Sequence, residues 1–249
     1  MALALASWWD RPVIVIEAEP SGGDLAARLG LSEEPGLVGM AAALRRNPQM
    51  ESATGAWITD HEQQTSVGVR VVVAPAGPPQ ARSALKLLSG PIPPPIPDGT
   101  DLLIDVGRLS EPRGSPGWIN GNGSDLLVWV CRPQLADLAH LAAILDQQHV
   151  DSREQAIVLN GGGPFPADEV ATTLGLPVIG HLPADSPGAS ALWSGGGRTW
   201  VRSALGRASK NLVDAVNGCL RHASDAQDAS MPDPLEPTTW LLESIFRRT

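Results

Sequence analysis

Six short apolar runs, each bounded by turn-forming residues, constrain this chain most: residues 13–16, 69–74, 102–106, 126–130, 156–159 and 176–179. Most are nearly uniform in Val, Ile and Leu rather than alternating with polar residues. A strand of that kind has no face it can show to water, so helices must cover both sides, as in parallel sheets. Stretches 36–46, 79–88, 135–148, 167–174 and 199–217 lie between the runs and read as helices. Strand and helix alternate, which predicts an α/β fold with a mostly parallel sheet and helices on both faces. Segment 47–66 is polar and irregular, and 89–100 carries Pro91, Pro93, Pro94, Pro95 and Pro97; both read as loops.

With 249 residues, 43% of them hydrophobic, the chain can bury the core of one large domain, assigned to 1–222. Residues 223–239 are acidic and contain proline, and read as a linker. Residues 240–249 gather Trp240, Leu241, Leu242, Ile245 and Phe246 ahead of Arg247 and Arg248, the makings of a short amphipathic helix. The opening residues 1–9 also read as a helix, since no basic residue precedes Asp10 and no small-residue cleavage pattern follows.

A net charge of −9 argues against a dedicated nucleic-acid-binding protein, whose contact face would tilt the whole balance basic. Cys131 and Cys219 stand far apart without metal-ligand spacing, which excludes a disulfide framework or zinc site and suits reducing cytoplasm. No apolar run approaches the roughly 18 residues that a membrane-spanning helix needs. No G-x-S-x-G elbow and no G-x-G-x-x-G turn is present, so serine-hydrolase and nicotinamide chemistry have no support.

The residues that could carry chemistry stand at strand ends. The run 13–16 closes on Glu17-Ala18-Glu19-Pro20-Ser21-Gly22-Gly23-Asp24, which puts two carboxylates at the carboxyl edge of a buried strand, where open α/β sheets bind ligands. Acids at i and i+2 of an extended chain point the same way. So placed, they suit a hydrated magnesium ion and an attacking water; a strand-end acidic turn bent by Gly22 and Gly23 is the plainer reading. Asp101-Leu102-Leu103-Ile104-Asp105-Val106-Gly107 repeats the logic, a Walker B pattern in which Asp105 would hold magnesium through water and Gly107 would let the backbone approach a phosphate.

The order of these pieces (VIVIEAEPSGGDLAARLGL, GLVGMAAALRR, DLLIDVGRL, SDLLVWVCRP, IVLNGG, LPVIGHLPAD) resembles the MinD/ParA family of P-loop ATPases over nearly the whole chain. That resemblance implies a three-layer P-loop NTPase-like sandwich, with 1–222 as the nucleotide-binding domain. It makes E-A-E-P-S-G-G the counterpart of switch I, with Glu19 orienting the hydrolytic water and Glu17 its neighbour near the metal. Asp105 corresponds to the Walker B acid, Asn160 to the asparagine that bonds the adenine, and Pro183 and Asp185 to the loop along the base. ATP and Mg2+ are the implied cofactors. The implied role is an ATP-dependent switch, dimeric when nucleotide-bound, that positions or partitions a chromosome, plasmid, septum, secretion or pilus apparatus. It works in the cytoplasm with a protein partner.

Two departures qualify the resemblance. Both switch I acids are Glu where the family has Asp. No G-G-x-G-K-[ST] loop is present: Lys86 and Lys210, the two lysines, lack its glycine and serine or threonine neighbours, and neither Gly161-Gly162-Gly163 nor Gly195-Gly196-Gly197 leads to a lysine. The expectation is therefore a chain lacking the family's first strand and phosphate loop, with residues 1–9 as the helix that follows that loop. Such a chain should not hydrolyse ATP as written. A non-enzymatic relative acting as a protein-interaction module is the alternative. The 240–248 tail leaves two readings open, docking on protein or peripheral contact with the inner face of a membrane. Arg198, Arg202, Arg207 and Lys210 read as a solvated helix face, with nonspecific DNA contact as the alternative.

Overall fold

The structure, a computed structural model, describes residues 1–46, 56–89, 96–108, 124–147 and 152–230. Strand β1 (Val13–Glu17) is buried along its whole length. It pairs in parallel with β3 (Arg70–Val72) on one side and β4 (Asp101–Asp105) on the other. A short antiparallel strand, β2 (Gln63–Gln64), completes a sheet in the order β2-β3-β1-β4. A second, parallel sheet has the order β5-β6-β7, from β5 (Ser124–Cys131), β6 (Ser152–Asn160) and β7 (Val178–Leu182). The mostly parallel α/β class is as expected, but the strands form two sheets rather than one. Among the described residues β4 pairs only with β1, and β5 only with β6.

The side-chain alternation of β1 divides the core. Ile14 and Ile16 face helices α3 (Leu37–Arg46) and α5 (Pro78–Leu88), meeting Leu37, Met40, Ala84 and Leu88. Val13 and Val15 face the opposite side, against α1 (Ala2–Ala6), α2 (Leu25–Leu29) and Trp200. Each such fully buried side chain contributes about 1.5–3 kcal/mol, so the uniform apolarity of β1 is what seats it in the middle of three layers. In the second sheet α6 (Leu135–Gln147) and α7 (Ala167–Leu174) cover Ile157 and Leu159. Val158 and Leu182 face the opposite side, against α10 (Ala204–Ser230). Leu5, Trp8 and Trp9 pack with Leu103 of the first sheet and with Leu126 and Val128 of the second, so the N-terminal helix and its exit tie the two sheets together.

Several expectations change. The 199–217 helix is two helices, α9 (Gly197–Arg202) and α10, because Ser203 turns extended (ψ 160°) and its hydroxyl accepts the Gly206 N–H at 2.9 Å. The 47–66 loop contains α4 (Ala56–Thr59) and β2, anchored by buried Trp57 and Ile58. Helices α2 and α8 (Ser186–Trp193) were not anticipated. The last strand starts at Val178 rather than 176. Helix α10 runs to Ser230, into the stretch 223–239 read as linker. The tail at 240–249 lies outside the described residues. No helix among the described residues is long and apolar enough to cross a membrane.

Candidate functional site

The carboxyl ends of β1 and β4 meet in register, Glu17 opposite Asp105, and the pairing continues as Ala18 N–H donates to the Asp105 carbonyl at 2.7 Å. The chain then leaves β1 through residues 18–24 into α2. Glu17 is 5% exposed. Its Oε1 accepts the Asp24 N–H at 2.8 Å and the Leu25 N–H at 3.1 Å, and its Oε2 accepts the Ala74 N–H at 2.9 Å. Two of these donors open α2, whose first amides have no partner within the helix. The third stands just beyond β3. Glu17 therefore staples β1 to α2 and to the β3–α5 connection. Burial lifts its carboxyl above the ordinary value, while the three amide donors and then Asp24 act on it less. Gly23 is required beside it, because a Cβ there would overlap the Glu17 carboxylate and come within 2.7 Å of the Ala74 carbonyl.

Glu19 points to the other loop. Its Oε1 accepts the Ser21 N–H at 2.8 Å, and its Oε2 accepts the Arg108 N–H at 3.0 Å. Gly107 adopts φ +70°, a left-handed conformation that glycine takes without strain, and a Cβ on it would overlap the Glu19 carboxylate. Asp105 Oδ1 accepts the Gly107 N–H at 3.2 Å. Glu17, Glu19, Asp105 and Arg108 line one cleft of about 470 Å³, together with Arg28 and Trp193. Arg28 pairs with Asp24 at 2.7 Å and stacks 5.2 Å from the Trp193 ring centroid.

The three acids and Gly107 are thus brought together. The adenine-site candidates are elsewhere. Asn160 ends β6, exposed, in register with Leu182 of the second sheet and not on the cleft wall. Pro183 follows β7 and is half-buried. Asp185 is a double helix cap: Oδ1 accepts the Gly188 N–H at 2.8 Å in α8, and Oδ2 accepts the Leu205 N–H at 3.0 Å in α10. Those amide donors hold its carboxyl below the ordinary value. Sequence reasoning missed Arg28, Trp193 and Arg108. The first two come from helices that converge only in the fold, whereas Arg108, directly after Gly107, could have been suspected.

A magnesium ion would need oxygen ligands turned toward a common point. Here both oxygens of Glu17 and both of Glu19 face backbone amides. No group of three or more His, Cys, Asp or Glu side chains among the described residues is arranged to hold a metal ion. As arranged, Glu17 and Glu19 fix two loops.

No family model matches the sequence, and no curated protein does. Solved structures do match in shape. The chain is similar to a ParA family ATPase from Chlorobium tepidum TLS, with TM-score 0.56 and 20% identity over 86% of this chain and 88% of that one. It is similar to the cell division ATPase MinD of Pyrococcus furiosus, with TM-score 0.58 and 14% identity over 87% and 90%. It is also similar to the septum site-determining protein MinD of Pyrococcus horikoshii OT3, complexed with Mg-ADP, with TM-score 0.57 and 15% identity over 89% of each. At such identities the likeness is one of fold: the mostly parallel sheets and the helices that cover them match the α/β fold of the ParA and MinD ATPases.

Proposed function

We propose that this chain is a MinD/ParA-like positioning or partitioning protein that works by binding partner proteins and, with the residues it has, does not turn over ATP. The observation that carries this reading is the fate of the two switch I acids. A group that activates water must turn a lone pair toward it; Glu17 is buried with both oxygens on amides, and each Glu19 oxygen already accepts one amide, which holds that carboxylate against the loops. Charge supports the same reading. A triphosphate entering the cleft meets Glu19, Asp24 and Asp105 against Arg28 and Arg108, so carboxylates outnumber cations around an already anionic ligand. The folds most like this one belong to proteins described as ATPases, one of them complexed with Mg-ADP, so a nucleotide switch is the reading to test against.

The decisive experiment is phosphate release from Mg-ATP by the purified 249-residue chain, alongside calorimetric titration with Mg-ADP. The expected result is release at the buffer rate. Turnover above that rate that disappears in Glu19→Ala would refute the proposal and restore Glu19 as the group that orients water.

A further inference from the structure

Helices α3 and α5 both start where β3 ends. The Leu37 N–H donates to the Val73 carbonyl at 2.9 Å, and α5 opens at Pro78 after the Gly77 cap. They run side by side over the Ile14 and Ile16 face of β1 and leave a groove of about 370 Å³ on their outer surface. Val38, Ala41, Ala42, Ala84 and Leu87 make its floor and walls, with Arg45 at one rim. Alanine at the bottom keeps the trough shallow enough for another backbone to approach. Leu87 is 45% exposed, an apolar side chain left on the lip.

Charge says what would lie there. The chain as a whole is acidic at −9. Helix α3, LVGMAAALRR, and helix α5, PPQARSALKLL, nevertheless contain no acid, and between them carry Arg45, Arg46, Arg82 and Lys86. Arg82 reaches the Pro20 carbonyl at 3.4 Å; none of the four forms an ion pair among the described residues. An apolar trough with Arg45 at its rim, between two helices that carry four cations and no acid on an otherwise acidic molecule, selects for a partner that is both apolar and acidic. Helices of ten and eleven residues are about 15 Å long, so the trough matches roughly three turns of a partner helix.

We propose that the α3–α5 groove docks an acidic amphipathic helix of a partner protein, its apolar stripe at i, i+3, i+4 and i+7 seated on Ala41, Ala84 and Leu87 and its carboxylates on Arg45, with Lys86 adding to the positive field of α5. A lipid surface fits less well, since membrane-binding faces present protruding bulky apolar groups rather than a concavity floored by alanine. The inference deepens the partner-binding reading above without sharing its test, since it is read with no nucleotide present and stands or falls whether or not ATP is hydrolysed.

The probe is a fluorescein-labelled peptide of about 14 residues with Leu at the four stripe positions and Glu elsewhere, titrated with the full chain and followed by anisotropy. Its twin replaces every Glu with Lys. The Glu peptide is expected to bind at least tenfold more tightly than the twin, and Leu87→Asp and the double variant Arg45→Glu/Lys86→Glu should each weaken it at least tenfold. Val201→Asp, at another exposed apolar position (47%) on α9, should leave binding unchanged. Circular dichroism checks that each variant is folded, and the charge-reversal pair, being on the surface, keeps the test alive if Leu87→Asp is not. Equal affinity for the two peptides, no binding of the Glu peptide, or binding indifferent to these variants would overturn the proposal. So would cosedimentation with phosphatidylglycerol vesicles that Arg45→Glu/Lys86→Glu abolishes while peptide binding persists.

Discussion

Replacing Glu17 with alanine should destabilise the fold far more than removal of an ordinary polar side chain would, because Glu17 is the acceptor for three backbone donors on two separate segments. The hydrogen bonds to Leu25 and Ala74 are buried, and that to Asp24 is partly buried. A buried amide deprived of its acceptor costs about 1–3 kcal/mol. Two such losses set the scale at about 2–6 kcal/mol. Water entering from the adjoining cleft and relief of the buried charge reduce it, leaving about 2–4 kcal/mol, among the larger single-residue effects. For a chain of this size that is a fall in Tm of roughly 4–16 °C. Calorimetry on wild type and variant at pH 7 measures it, and amide exchange at Leu25 and Ala74 should accelerate beyond the global change. A loss under about 0.5 kcal/mol would refute the staple.

The sign of the pH effect adds a second check. Burial holds the folded Glu17 carboxyl above the unfolded value, so the folded state binds the proton more tightly. The part of the stability that is linked to this proton is present at low pH and is lost as pH rises through the raised value. Glu17→Gln, neutral throughout, should flatten that part of the stability profile.

Gly107→Ala should cost about 1–2 kcal/mol from the left-handed backbone alone, and more because the new methyl displaces Glu19 from the Arg108 amide; thermal melting with exchange at Arg108 reads both. Asp185→Ala should leave a protein that loses less stability on acidification than wild type does. The Asp185 carboxyl is held below its ordinary value, so its contribution exists above the unfolded value and disappears as pH falls through the lowered one. Melts at pH 7 and near pH 3 compare the two chains, and parallel acid losses would contradict this.

What was legible in the sequence was whatever local pattern decides. Uniform apolarity placed β1 and β4, and Ala167–Leu174 appeared where its periodicity put it, ended by Gly175 in the left-handed region. What was not legible depended on side-chain caps or on groups distant in sequence. The apolar pattern runs straight through Ser203, and only its hydroxyl, capping Gly206, breaks the helix there. Trp57 and Ile58 are too short an apolar run to signal α4, yet the core beside α3 fixes them. Asp185-Ser186-Pro187 carries an N-cap followed by proline, the ordinary start of a helix, and α8 begins there.

The acids of the cleft teach the same lesson in more detail. Spacing at i and i+2 placed Glu17 and Glu19 on one side of one strand, and both do line the same cleft. Their surroundings nonetheless differ, because β1 ends at Glu17. That residue is still held by the sheet and is driven inward onto Ala74, whereas Glu19 lies in the turn and crosses to Arg108. A carboxylate is an acceptor for whichever donors reach it first. At the carboxyl edge of a parallel sheet these are backbone amides at helix starts and in tight glycine turns, the same donors that hold phosphate in nucleotide-binding folds. In this chain the first amides of α2 and the amide following Gly107 are taken by glutamates of its own, so the donors for an anion and the acids for a metal satisfy one another. The added methylene of Glu over Asp gives the reach for that pairing. The outcome is two loops tied to the sheet by the chain itself.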